Sequence, residues 1–243
     1  MATAMWIITG AEAMKSHPQN RNLTLTYASH WRGLPLLAKH TPYVCEYLDR
    51  ILETLEGASR TFPRLLVARF DLHFPLDLEV PRAHAISRFI KRLQREVDVY
   101  LNGRGSRYHC DIGHAWAAER DLSSRQHYHV VIFANKDAFH TWGRFPRENC
   151  GTTSPTPEQG LAHCIVRAWG HALLQDPCAI AGTVHFAEKG IYWLNRNKAS
   201  YTSDFEDIYR RSSYLAKAET KEYGCGYRCF GYAHKFSGIR VTD

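Results

Sequence analysis

Alternating hydrophobic and polar residues predict a set of β-strands from residue 65 onward. The clearest is His127–Phe133, which is rich in aromatic and β-branched residues and contains neither Gly nor Pro. Turn-forming residues from Asp121 separate it from the strand before it, so the two strands are predicted to form a hairpin. The candidate strands are Leu65–Phe74, Gly113–Arg120, His127–Phe133, Gly182–Phe186 and Tyr227–Tyr232.

Apolar residues that recur at helical spacing predict helices between these strands. From Leu65 onward the elements follow the order strand, helix, strand, strand, helix, strand, helix, strand. This order favours an α+β fold, in which a central antiparallel sheet of about five strands carries helices packed on one face. The candidate helices are Pro42–Leu55, Pro81–Leu101, Gln159–Leu174 and Asp204–Ala218.

The length of 243 residues is enough for one main domain with an extension. Residues 1–61 form a partly helical region whose pattern is hard to assign, and we expect an accessory element there. Residues 62–243 then form the main domain. The polar, turn-rich stretch 135–157 is expected to be an insertion within it.

Composition and charge narrow the classes of function. The chain carries 31 basic and 24 acidic residues, a net charge of +7, which is compatible with a polyanionic partner. Its N-terminus lacks the pattern of a signal peptide, and no apolar run approaches the ~20 residues that span a bilayer. We therefore expect a cytoplasmic protein with no membrane partner. The seven cysteines include no Cys-x-x-Cys and suit reduced thiols.

His127 and His129 are the strongest candidates for chemistry. Side chains alternate along a strand, so both imidazoles project from one face, where they could bind one divalent cation. A short hairpin turn would bring Glu119 beside them, and two imidazoles with a carboxylate suit Mg²⁺ or Mn²⁺. An ordinary pair of polar residues facing water is the alternative. The rivals of Glu119 as third ligand are His73, whose strand should neighbour the hairpin, His114 and His185.

Tyr214 and Lys217 form the second candidate group. Residues three apart on a helix share a face, so a phenol and an ammonium would meet at one place. A phenolate can attack phosphorus in covalent catalysis, while the ammonium offsets developing charge. A lone Tyr-x-x-Lys is common, and a half-buried tyrosine beside a solvated lysine is the alternative.

Together, His127-Tyr128-His129 and Tyr214-Leu215-Ala216-Lys217 resemble the motifs of the HUH endonucleases, the rolling-circle replication initiators and their relatives. The local sequence is most similar to replication proteins of the filamentous-phage (inovirus) gene-two type and their prophage relatives. The resemblance covers roughly residues 62–237. It implies a five-stranded palm-like sheet and sequence-specific nicking and rejoining of single-stranded DNA through a covalent 5′-phosphotyrosine.

The resemblance also implies roles and partners. Tyr214 would be the nucleophile and Lys217 its helper, while His127, His129 and Glu119 would hold Mg²⁺ or Mn²⁺. Positions 210 and 218, four residues on either side of Tyr214, are Arg and Ala, so this helix has no second tyrosine one turn away, which indicates a single-tyrosine enzyme. The DNA would be a single strand or an origin hairpin of a phage, plasmid or mobile element, replicated with a separate helicase and host polymerase. Candidate DNA contacts are Arg69, Arg120, Arg125, Arg211 and Lys221, with Arg64 and Arg210 nearby.

Two other functions remain open at the level of sequence. A protein of the same fold could bind a DNA hairpin without cutting it. A metal phosphoesterase could activate water instead, with Tyr214 in a structural role.

Overall fold

The N-terminal part of the chain forms two small β-structures and a helix. The computed structural model describes residues 14–76, 84–120, 126–146, 159–221, 223–224 and 226–234. The first five strands are β1 (Lys15–His17), β2 (Asn20–Thr26), β3 (His30–Trp31), β4 (Leu34–Pro35) and β5 (Tyr43–Val44). Strands β1, β2 and β5 form one sheet, and β3 pairs with β4. Helix α1 (Cys45–Thr61) follows directly.

A five-stranded antiparallel sheet forms the centre of the molecule. Its order is β10-β7-β8-β6-β9, and each neighbouring pair runs antiparallel. The predicted α+β class and the predicted sheet of about five antiparallel strands are therefore confirmed. The strands are β6 (Arg64–His73), β7 (Gly113–Arg120), β8 (Gln126–Asn135), β9 (Val184–Asn195) and β10 (Phe230–Tyr232).

Helices α2 (Ala85–Gly103) and α3 (Leu161–Leu173) cover one face of this sheet. Phe89 of α2 and Trp169 of α3 are fully buried, and their rings meet edge to face with centroids 6.0 Å apart. They pack with Phe70 and the other even-numbered residues of β6 in the larger hydrophobic core.

The second face is also partly covered, which corrects the prediction that helices lie on one face only. Helix α1 and helix α4 (Tyr201–Ser212) pack there in a second core. The strands explain this packing. Val67 of β6 and Val131 and Phe133 of β8 project apolar side chains from this face, and burying them under the helices removes apolar surface from water. The predicted boundary at residues 61/62 falls between α1 and β6, two elements that share this core.

The segment after α4 differs from the prediction of a helix reaching Ala218. The α-helix ends at Ser212 and continues as a short 3-10 helix, Ser213–Ala216. The hydroxyl of Ser213 donates to the carbonyl of Arg210 at 2.7 Å, a local bond that competes with regular helix. Lys217 then forms a β-bridge with Tyr43, and the amide of Ala218 donates to the carbonyl of Pro42 at 2.9 Å.

The predicted insertion is only partly described, and the helices can be compared with the prediction of no membrane span. Of the predicted insertion 135–157, residues 147–157 lie outside the described residues. Within the described part of the chain, no helix combines the length and the apolar character needed to cross a membrane.

Candidate metal and nucleophile site

One end of the second sheet face is polar and carries the candidate site. Along β8 the side chains on this face change from Phe133 and Val131 to His129 and His127. The register places His129 opposite Asp71 of β6, and His127 opposite Glu119 of β7. Helices α1 and α4 cover the apolar end. The polar end lies beside the turn that follows α4, where Tyr214 and Lys217 contact His129 and Glu119.

Glu119, His127 and His129 form a compact set of metal-ligand atoms. One donor atom from each side chain lies within 4.8 Å of the others. The Nε2 atoms of the two histidines are 3.1 Å apart, and Nε2 of His129 is 3.4 Å from Oε2 of Glu119. Adjacent ligands of an octahedral cation bound at about 2.1 Å are themselves about 3 Å apart. The three predicted ligands therefore meet, and their spacing fits a small divalent cation.

Asp71 orients one of these histidines, a role that the sequence did not predict. Nδ1 of His129 donates to Oδ1 of Asp71 at 2.6 Å, which leaves Nε2 directed toward the other ligand atoms. Burial would raise the pKa of Asp71, but the hydrogen bond from His129 and the charge of Arg69 outweigh it and lower the pKa. Burial would lower the pKa of His129, yet its bonds to Asp71 and Glu119 raise it.

Glu119 is also the centre of a buried charge cluster. Lys217 Nζ lies 2.8 Å from Oε2 of Glu119, and Lys221 Nζ lies 3.2 Å from Oε1. The hydroxyl of Thr220 donates to Oε2 at 2.7 Å. Burial would raise the pKa of Glu119, but the bond from His129 and the two ammonium groups hold the pKa far below its usual range. A cation bound here would share the Glu119 carboxylate with these two lysines.

Tyr214 lies directly against the paired histidines. Lys217 Nζ donates to its phenol oxygen at 2.8 Å, although the two residues are in a 3-10 turn and its C-cap rather than on a regular α-helix. The ring of Tyr214 meets the ring of His129 edge to face at a centroid distance of 5.0 Å. On its other sides it contacts the ring of His40 at 4.9 Å and the guanidinium of Arg69 at 4.7 Å. The structure therefore unites the predicted nucleophile, its helper and the predicted ligands.

The rival ligands occupy outer positions. The ring of His73 stacks on the ring of His127 with centroids 5.1 Å apart, but His73 is not among the clustered ligand atoms. His185 lies 3.6 Å from Asp71 and its side chain is largely exposed. His114 is an even-numbered residue of β7, so it points to the opposite face from Glu119.

The predicted DNA contacts fall into different environments. Arg69 lies over the ring of Tyr214, whereas Arg211 pairs with Asp207 at 3.0 Å and stacks on the ring of Tyr192. Arg120, the residue after Glu119, is half-buried. Arg125 lies outside the described residues. The side chain of Lys221 is fully buried and binds Glu119 and the carbonyl of Lys217.

Comparison with known proteins gives a family. Protein YagK of Escherichia coli K12, described as uncharacterized, is 28% identical over 205 residues, which cover 79% of this chain and 94% of the relative. Protein YfjJ of the same organism, also described as uncharacterized, is 27% identical over 204 residues, or 78% and 94%. No solved structure gives a significant match. The model of the YagK/YfjJ C-terminal domain matches residues 26–233, which include the whole site described above, and the chain therefore belongs to the YagK/YfjJ C-terminal domain family.

Proposed function

We propose that this protein nicks and rejoins single-stranded DNA through a covalent 5′-phosphotyrosine on Tyr214, and so initiates rolling-circle replication of a phage, plasmid or other mobile element. One observation carries the proposal. The phenol of Tyr214 lies between the ammonium of Lys217 and the ring of His129, at a buried cluster of metal-ligand atoms.

Tyr214, Lys217 and the three candidate ligands have different roles in the proposed reaction. The Tyr214 oxygen attacks phosphorus, the bond from phosphorus to the 3′-oxygen breaks, and that oxygen departs with its electron pair and is protonated, while the phenol releases its own proton. Lys217 holds a positive charge against the attacking oxygen. His127, His129 and Glu119 would hold the cation. When bound there, Mg²⁺ or Mn²⁺ supplies Lewis-acid polarisation of a phosphate oxygen. The reverse transfer reseals the strand, and the free 3′-hydroxyl is the end that a polymerase would extend.

The surroundings of Tyr214 suit an anionic substrate. Arg69 covers its ring and Lys217 contacts its hydroxyl, while the two carboxylates nearby are already paired with cationic partners. Asp71 binds His129, and Glu119 binds two lysines. A phosphodiester at the phenol would therefore meet the positive charges of Arg69 and Lys217.

The decisive experiment asks for a covalent adduct. Wild-type protein is incubated with a labelled pool of single-stranded oligonucleotides and Mn²⁺, and the products are separated on a denaturing gel. We expect labelled protein from the wild type and none from Tyr214→Phe. Tyr201→Phe is the matched control, because its half-buried hydroxyl makes only a 3.5 Å contact with Ser59, and it should form the adduct normally.

The same gel separates the other two functions. Cleavage that persists in Tyr214→Phe without any adduct would replace this proposal by a metal phosphoesterase that uses water. Binding of hairpin oligonucleotides with no cleavage in any variant would replace it by a DNA-binding protein of this fold.

A further inference from the structure

Helices α2 and α3, on the sheet face opposite Tyr214, carry more basic than acidic side chains, and the exposed acid of α2, Asp98, accepts a hydrogen bond from Gln94 at 2.9 Å. The first eleven residues of α2, 85–95, include four basic residues and no acidic one. Helix α3 carries one arginine and two histidines and no acidic residue. The basic and histidine residues of this surface are Arg88, Lys91, Arg92, Arg95, His163, Arg167 and His171.

One buried carboxylate organises the centre of this surface. Glu96 of α2 is 4% exposed. Nε of Arg92 donates to its Oε1 at 2.8 Å, and Nε of Arg167 from α3 donates to its Oε2 at 2.7 Å. Nε2 of His171 lies 3.6 Å from Oε1. A single negative charge therefore holds two guanidinium groups side by side, and the cluster keeps a net positive charge.

The way in which the two arginines bind Glu96 leaves their outer ends available. Each uses only Nε, and the terminal nitrogens of Arg92 and Arg167 make no hydrogen bond to the described part of the chain. Both side chains remain about a third exposed, at 35% and 37%. Because the two arginines share one carboxylate, each guanidinium binds a single oxygen of Glu96. Here the carboxylate fixes the arginines, and four terminal nitrogens remain to bind another anion.

We propose that Arg92 and Arg167 form a second binding site, for phosphate groups of a nucleic-acid backbone. The guanidinium fork matches phosphate oxygens, and a pair held by a buried partner loses little side-chain entropy on binding. Arg88, Lys91 and Arg95 flank the pair along α2 and extend the positive potential that a polyanion would follow. The inference rests on the proposed function, because the ligand is the DNA that Tyr214 would cut, contacted on the other side of the sheet.

The test measures DNA binding without metal, so that it does not depend on cleavage. The anisotropy of a labelled DNA hairpin with a single-stranded tail is followed in EDTA at several salt concentrations. The variant Arg92→Met with Glu96→Leu and Arg167→Met removes both cations together with their carboxylate, so no buried charge is left alone. We expect at least about tenfold weaker binding, and a slope of log affinity against log salt that is smaller by about one to two. Unchanged affinity and slope would overturn the proposal.

A matched variant controls for net charge. Arg50→Met with Glu53→Leu and Arg60→Met removes two arginines and one glutamate from exposed positions of α1. It should bind DNA as the wild type does. If it weakens binding as much as the α2–α3 variant, the effect is one of overall charge and the assigned site is wrong.

Two further arms remove the remaining ambiguities. Arg92→Lys with Arg167→Lys keeps both charges beside Glu96 but removes the forks, and we expect intermediate affinity with the fold preserved. Wild-type affinity in this variant would contradict the role of the guanidinium groups.

The second arm uses inorganic phosphate. If millimolar phosphate raises the melting temperature of the wild type but not of the Met/Leu/Met variant, and DNA affinity is the same in both, the site takes free phosphate and the nucleic-acid assignment fails. Loss of DNA binding in these variants with no Tyr214 adduct in the wild type would retain this site and reject the nicking reaction.

Discussion

Asp71 accepts a 2.6 Å hydrogen bond from His129, directly across the pair of strands β6 and β8. This bond fixes which imidazole nitrogen faces Glu119 and His127, so it prepares the ligand set before any cation arrives. Asp71→Asn keeps the shape of the side chain but removes its charge. We expect Mn²⁺ affinity measured by calorimetry to fall about 10- to 100-fold, as for other carboxylates that orient metal-binding histidines.

The control for this prediction is Asp207→Asn, which changes a carboxylate on α4 that pairs with arginines instead. Its Mn²⁺ affinity should match the wild type. His129→Ala should abolish binding altogether. Equal affinity in Asp71→Asn and the wild type would remove Asp71 from the site.

Glu119 stabilises the fold as well as the candidate metal site. Glu119→Gln would leave the side chains of Lys217 and Lys221 buried without their carboxylate. Breaking a buried ion pair from one side costs about 3–5 kcal/mol, so we expect a loss of that order in the free energy of unfolding by urea in EDTA. Glu53→Gln, in an exposed pair with Arg50, should change it by less than about 1 kcal/mol.

A second substitution tests the cause of that loss. Adding Lys221→Met to Glu119→Gln removes the charge that had become unpaired, and the double variant should be more stable than Glu119→Gln alone. If the second change adds its own full cost instead, Lys221 does not depend on Glu119.

A Mn²⁺ affinity that falls in His73→Ala rather than in the Glu119 variant would identify His73 as the third ligand.

The effect of metal on stability should depend on pH through His129. Without metal, its raised pKa contributes stability that is complete below its ordinary value of 6.5 and is lost as the pH rises through the raised pKa. Metal binding requires the neutral imidazole and therefore gains as the pH rises. We expect the increase in melting temperature given by Mn²⁺ over EDTA to grow between about pH 6 and pH 8. A constant increase across this range would exclude His129 as a ligand.

Arg69 should affect the rate at which Tyr214 forms the adduct more than it affects DNA affinity. Its guanidinium covers the ring of Tyr214 at 4.7 Å, a contact of the kind that contributes about 0.5–1 kcal/mol at partly exposed positions. We expect Arg69→Ala to slow adduct formation under single-turnover conditions several-fold more than it weakens DNA affinity. Arg211→Ala, which removes a guanidinium bound to Asp207 and Tyr192, should change DNA affinity but not the rate of adduct formation. Equal effects of Arg69→Ala on rate and affinity would make it an ordinary phosphate contact.

Strand alternation was sufficient to predict much of the candidate site. Because side chains repeat every second residue, His127 and His129 had to share a face, and a short hairpin had to bring Glu119 opposite His127. The role of Asp71 could not be predicted in the same way. It depends on the register between β6 and β8, strands more than fifty residues apart in the chain, which no local pattern specifies.

The surroundings of Lys221 and of helix α1 depend on long-range packing, which local sequence patterns do not specify. Lys221 is charged and near the motif in sequence, yet a buried carboxylate 102 residues away holds it in the interior. The amphipathic pattern of helix α1 predicts a helix but does not identify the surface against which it packs. That surface is the apolar half of a sheet face that also carries the site. The sequence pattern predicts helix α1 as a helix, but the surface that it buries is defined only by tertiary contacts.

The β-bridge between Tyr43 and Lys217 and the hydrogen bond from Ala218 to Pro42 join the turn that carries Tyr214 to the N-terminal part of the chain. A fragment that starts at residue 62 would keep every ligand and the tyrosine, but it would lack the strand that holds the turn around Tyr214 in place. During synthesis the ribosome releases residues 42–44 long before residues 214–218 exist. We therefore expect Tyr214 to reach its position beside the histidines only after residues 42–44 and 214–218 have come into contact.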